Sequence, residues 1–299
     1  MKKTKKVIKI LGFIVLSLLL VLYILMPFGM GVIASIRQTA EVPAAPDGFE
    51  AVQLTASDGI ALSAWAAPSQ NGAAIILVHG SNGGLESLRG YAKLFAVKGY
   101  GVLALCLRGH GSSGGSGNAL GWECGKDIAA AVDYQNNQSG VNAIGALGLS
   151  LGGEVLLSAC GELLLSACGE LPQIKAVAAD GATHHTLSDY LTLPSNQSLV
   201  RNWTTRVMYF SAGVFTGQQP PTTTLLESIK NAKDTRFLFI AAQNVDDEVA
   251  FDTMYTEQTK GRSTLWVVPD AGHTQGFALQ PEEYEKRVTA FFDETLAMK

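Results

Sequence analysis

Apolar and polar positions alternate in different rhythms along this chain, and the first stretch has no alternation at all. Ile10 to Met26 is an unbroken apolar run that continues more loosely to Ile36, and Lys2, Lys3, Lys5, Lys6 and Lys9 precede it. A bilayer core is crossed by roughly 20 apolar residues in a helix. The pattern therefore predicts a basic cytoplasmic segment over residues 1–9 and a transmembrane anchor over 10–36. Lysines are retained on the cytoplasmic side. The rest of the chain is then expected outside the cytoplasm, on a single-pass cell-membrane protein. A cleaved signal peptide is the rival reading, with Val32-Ile33-Ala34 as the cleavage site and a secreted product.

Residues 37–48 are polar, carry Pro43 and Pro46, and read as a linker; the folded domain is expected over 49–299. Glu50 to Leu54 and Ile60 to Ala66 read as strands around the turn Ser57-Asp58-Gly59. Ala73 to Val78 and Gly101 to Leu107 are continuous apolar runs, as in strands buried on both faces. Val141 to Leu147, Ile174 to Ala179, Arg236 to Ala242 and Thr264 to Val268 read as further strands. Helical periodicity appears at Glu86 to Lys98, Asp127 to Gln135 and Glu282 to Leu296, and a helix is expected from Leu151. Strands alternating with helices predict an α/β fold with a parallel sheet and crossover helices. Residues 182–234 break the rhythm and read as a helical insertion or lid, against the plainer reading of ordinary crossover helices.

One segment is repeated. Leu156 to Leu163 recurs without change at Leu164 to Leu171. Eight residues are too few for a solenoid unit, and the repeat reads as a slippage insertion.

Composition narrows the function classes. A hydrophobic content of 47% suffices for a large core, and a net charge of −4 argues against a nucleic-acid partner. Cys106, Cys124, Cys160 and Cys168 show no zinc-ligand spacing and read as buried small hydrophobes. No metal or other cofactor is expected.

The chemistry centres on Gly148-Leu149-Ser150-Leu151-Gly152, a G-x-S-x-G sequence between a strand and a helix. Such an elbow lifts a nucleophilic serine clear of a sheet edge. The hydroxyl needs a base, ordinarily a histidine oriented by a carboxylate. His273, between the last strand and the closing helix, is the expected base; His79 and His110 lie in glycine-rich turns and are expected to hold loop geometry. His184 and His185 line the pocket or are solvated. The acid is expected after the strand 236–242, at Asp247, with Asp246 and Asp180 as rivals. An oxyanion hole needs two backbone N–H donors, and Ser81 and Leu151 are placed to supply them.

His79-Gly80-Ser81-Asn82-Gly83-Gly84, Arg108-Gly109-His110-Gly111-Ser112-Ser113-Gly114, Gly148 to Gly153 and Ala271-Gly272-His273 together resemble the alpha/beta-hydrolase superfamily, from about Phe49 to the C-terminus. More narrowly they resemble membrane-anchored bacterial hydrolases of the esterase and serine-peptidase branches. The resemblance implies an eight-stranded, mostly parallel sheet with helices on both faces, and supports Ser150, Asp247 and His273 as the triad. Many relatives have aspartate where Cys106 stands here. The expected activity is hydrolysis of an ester in a small-molecule acyl substrate. A peptidase of the same fold and a non-catalytic scaffold are the alternatives.

Overall fold

The computed structural model describes residues 2–296 other than 42, 119, 163–173 and 201. The second copy of the repeat and Cys168 lie outside the described residues. The first copy enters the helix that follows Ser150.

Eight strands form one sheet: β1 (Glu50–Thr55), β2 (Ala61–Ala67), β3 (Ala73–Val78), β4 (Gly101–Leu105), β5 (Ala143–Leu149), β6 (Ala176–Asp180), β7 (Arg236–Ala242) and β8 (Ser263–Val268). Their order is β1-β2-β4-β3-β5-β6-β7-β8. The β1–β2 and β2–β4 pairs are antiparallel, and β4 through β8 run parallel. All residues of β3 and β4 are buried, which explains their unbroken apolar composition.

Alternate strand residues feed two cores. Ile76, Val78, Leu103 and Leu105 pack on one face against α4 (Gly125–Asn136), α5 (Leu151–Glu162), α8 (Leu225–Asn231) and α9 (Asp246–Gln258). Ile75, Leu77, Val102 and Ala104 pack on the other against α3 (Leu85–Val97) and α11 (Pro281–Leu296). The short α10 (Gly276–Leu279) leads into α11. Between β6 and β7 the chain forms α6 (Leu187–Tyr190), α7 (Trp203–Thr216) and α8.

The N-terminus is helical from α1 (Lys2–Leu20) through a π-helical turn at Val21–Leu25 into α2 (Met26–Ser35). Lys3–Ser35 is long and apolar enough to cross a membrane, and its most apolar window is exposed throughout. The chain does not swing free after it. The amide of Gln38 donates to Gly109 (2.8 Å) and its carbonyl accepts from Gly111 (2.7 Å). The Asn118 amide donates to the Ser35 carbonyl (3.1 Å), and the Arg37 guanidinium donates to the carbonyls of Ser113 (2.8 Å) and Gly115. The residues expected to start a linker are thus sewn to the glycine- and serine-rich loop that follows β4.

Candidate active site

β5 runs two residues further than its composition suggests. Leu149 still pairs with Asp180 of β6, so the strand ends directly at Ser150. The turn there is sharp. Ser150 has φ +51°, in the left-handed region that non-glycine residues seldom adopt. A Cβ on Gly148 would lie 2.4 Å from the backbone of Gly152, and one on Gly152 would lie 2.4 Å from the Val78 carbonyl oxygen. Both positions need glycine because backbone passes where a side chain would stand. The Ser150 amide donates to the Asp180 carbonyl at 2.7 Å and closes the turn.

His273 follows β8 and meets the nucleophile across the sheet edge. Its Nε2 lies 2.8 Å from Ser150 Oγ, and its Nδ1 lies 2.6 Å from Glu248 Oε1. A carboxylate can only accept, so Nδ1 carries the proton and Nε2 presents a lone pair to the hydroxyl. Glu248 is fully buried while half of the imidazole is exposed. The hydrogen bond from the ring to Glu248 raises the His273 pKa above 6.5, outweighing the opposing effect of burial.

The carboxylate at this ring is therefore Glu248, not Asp247. Asp246 opens α9, and Asp246 and Asp247 both face solvent in its first turn. One residue further along a helix is a rotation of about 100°, which turns Glu248 back beneath the sheet edge. There its Oε2 accepts from the Ala242 amide at 2.7 Å. A signal for this was present: Phe251 and Tyr255, three and seven residues on, are buried on the same stripe as Glu248. Asp180, the other rival, takes its hydrogen bond from the Tyr284 hydroxyl (2.8 Å), and burial pushes its pKa up to about 7.

The loop after β3 approaches the same point. A Cβ on Gly80 would lie 3.3 Å from Ser150 Cβ, so the loop that carries Ser81 is held beside Ser150. His110 fixes this loop, its Nε2 2.8 Å from the Ser81 carbonyl oxygen. His79 is buried and accepts from the Leu107 amide (3.1 Å), and desolvation lowers its pKa to about 4. Both rings tie loops together, as their glycine-rich surroundings suggest. Leu151, at the head of α5, flanks the serine on the other side.

A line of hydrogen-bonded Ser, His and Glu at the carboxyl ends of parallel strands, after a glycine-flanked elbow, can be compared directly with known proteins. The model of the alpha/beta hydrolase family matches residues 75–287. The chain belongs to that family. No match was found among curated proteins. Among solved structures, an esterase of Pyrococcus furiosus superposes with a TM-score of 0.65 at 21% identity, covering 87% of this chain and 98% of that one. The alpha/beta hydrolase GrgF of Penicillium sp. sh18 gives 0.62 at 17% identity, covering 84% and 99%. An esterase of Exiguobacterium antarcticum gives 0.59 at 15%, covering 81% and 99%. At these identities the likeness is one of fold.

Two clusters of buried polar groups lie close to the site. Cys106 is buried and its thiol points to the His110 carbonyl oxygen (3.3 Å). The neighbouring Arg108 is instead gripped by Asp127 of α4, at 2.8 Å and 2.6 Å, and by Asp58 at 2.7 Å. Glu154, one helical turn after Ser150, accepts from the amides of Thr183 (3.2 Å) and His184 (3.3 Å), and burial raises its pKa to about 7. His184 lies 2.6 Å from the Tyr209 hydroxyl of α7, and His185 is buried with its carbonyl bonded to Trp122 Nε1 (3.0 Å). His185 is buried and His184 half-buried, so neither is a solvated surface group, and desolvation lowers both imidazoles to about 4.

Proposed function

We propose that this protein is a serine hydrolase that cleaves carboxylic esters through an acyl-enzyme. Ser150 Oγ attacks the acyl carbon as His273 Nε2 takes its proton. Glu248 holds the Nδ1 tautomer and stabilises the imidazolium that forms. The amides of Ser81 and Leu151 donate to the oxyanion of the tetrahedral intermediate. The carbon–oxygen bond to the alcohol then breaks, and His273 returns the proton to the departing alkoxide. Water attacks the acyl-serine ester with His273 again as base, releasing the acid and restoring the hydroxyl. The observation that carries this reading is the unbroken line Ser150 Oγ–His273–Glu248, with contacts of 2.8 Å and 2.6 Å. Esterases among the structural neighbours support an ester over an amide substrate.

The lysine cluster before the apolar helix supports an anchor with the hydrolase domain on the extracytoplasmic side. A fluorophosphonate probe is expected to label the wild type stoichiometrically and Ser150→Ala not at all. Nitrophenyl esters assayed beside aminoacyl anilides are expected to turn over faster. Absence of labelling on folded wild-type protein would refute the proposal.

A further inference from the structure

The apolar helix at the N-terminus does more than tether the domain. Its last turns pass over α7 at close range: a Cβ on Gly31 would lie 2.1 Å from Ser211 Oγ and 2.2 Å from the Met208 carbonyl oxygen. Trp203, at the head of α7, donates its indole N–H to the Tyr23 carbonyl at 3.0 Å. The end of the helix is then stitched to the loop after β4 through Ser35, Arg37 and Gln38. Helix and hydrolase domain thus form one packed unit.

Between them is a cavity of about 570 Å³, a volume in the range of small-molecule sites. Met30, Ile33 and Ala34 of α2 form one wall. Leu120, Leu151 and Ser81 form the opposite side. Leu151 follows Ser150 directly and Ser81 sits on the loop after β3 that packs against Ser150, so the cavity reaches the neighbours of the serine. Among the described residues, the N-terminal segment supplies Met30, Ile33, Ala34, Ile36 and Gln38 to its lining.

The position of this wall along the helix is decisive. Twenty residues from Ile10, at 1.5 Å each, span about 30 Å of hydrocarbon and end at Gly29. Met30 to Ala34 are the next turn, at the outer boundary of the bilayer. α7 runs alongside and exposes apolar side chains: Trp203 lies deeper, beside Tyr23, while Phe210, Val214 and Phe215 follow further along the helix. With the helix placed this way, Met30, Ile33 and Ala34 set the cavity beside the edge of the bilayer.

We infer that this cavity holds the long apolar chain of a membrane-resident ester, and that the N-terminal helix supplies one wall of the substrate site. The inference rests on the ester-hydrolase reading and names its substrate class. Chain length is then read by α2, and removal of the helix after Ala34 would dismantle the site.

Occupancy can be tested separately from catalysis. Full-length Ser150→Ala protein is reconstituted in phosphatidylcholine vesicles carrying a long-chain ester with a diazirine at the chain terminus. After irradiation, label is expected on peptides containing Met30 to Ala34 and Leu120 or Leu151. Ala34→Trp, which fills the cavity, is expected to reduce that label about tenfold, the scale at which an apolar pocket discriminates. In the Ser150 background, Ala34→Trp is expected to lower the ratio of long-chain to acetyl-ester kcat/KM by a similar factor. Ile33→Ala, which enlarges the cavity without adding bulk, is expected to move the preferred chain length upward. Label absent from these peptides in the parent protein overturns the inference, as does a chain-length profile unmoved by either variant. Failure of fluorophosphonate labelling with correct photolabelling would instead reject the hydrolase reading and leave the lipid site standing.

Discussion

At the scale of single residues, the carboxylate that contacts His273 is the neighbour of the one that sequence order suggests. Asp247 and Glu248 are neighbours, yet only Glu248 reaches His273. Glu248→Gln is expected to lower kcat by roughly a hundred- to ten-thousand-fold, as when a triad loses the group that fixes its tautomer. Asp247→Asn should stay within about twofold, the behaviour of a solvated surface charge. Steady-state hydrolysis of a nitrophenyl ester distinguishes the two. The proximity of Ser150 and His273 was legible because their signals are local: an elbow spacing for one, a position between last strand and closing helix for the other. The acid was less so, because its identity depends on the rotational phase of α9, which only the buried stripe of Phe251 and Tyr255 reveals. The same contact sets the pH response. The base must be neutral to accept the serine proton, and Glu248 favours the charged ring, so the His273 pKa lies above 6.5. The logarithm of kcat/KM should therefore rise with pH through a midpoint above 6.5 and level off beyond it. Residual activity of Glu248→Gln should show that midpoint shifted toward acid.

Elements, rather than residues, decide how the site is held. The positions of β3 and β4 were readable because both strands are wholly buried and carry no polar residues. The end of β5 was not, since glycines suggest a turn where the backbone in fact remains paired as far as Leu149. α5 must press against the Val78 carbonyl for the elbow to form, so Gly152→Ala should destabilise the domain by about 3 kcal/mol, the upper range for overpacking; urea denaturation measures it. α9 carries a second buried carboxyl, Asp252, whose two oxygens have no hydrogen-bond partner among the described residues. Desolvation, with the charges of Glu248 and Asp180, pushes its pKa well above 3.8. Burial likewise raises Asp180 and Glu154 to about 7. A carboxyl whose folded pKa is raised contributes stability below its unfolded pKa and loses it as pH climbs through the folded value. Asp180 and Glu154 should therefore erode stability as pH rises from about 4 to 7, and Asp252 should act in the same direction. Asp252→Asn removes one of them, and should make the decline of Tm across that interval shallower. A gain of about 2–4 °C at neutral pH corresponds to ~1 kcal/mol in a domain of this size.

For the whole molecule, the decisive relation is between the N-terminal helix and the domain. The sequence reveals the apolar run but not its docking, because α2 meets α7 through Gly31 and Ser211, residues whose small size marks close approach only once the two helices are seen together. Gly31→Leu should force them apart. Limited proteolysis in detergent is expected to cut within α7 roughly tenfold faster, matching a local loss of about 1.4 kcal/mol. Intact-mass measurement of protein extracted from membranes should also find the N-terminal helix still attached, since cleavage after Ala34 would strip α7 of its partner.

The hydrogen bonds joining Ser35 and Gln38 to the loop after β4 carry a kinetic meaning. On the proposed reading of an anchored hydrolase, the domain cannot sample the bulk phase and searches a leaflet. Its turnover should follow the mole fraction of ester in that leaflet, so that adding inert lipid slows the reaction even when the total amounts of enzyme and ester in the tube are unchanged.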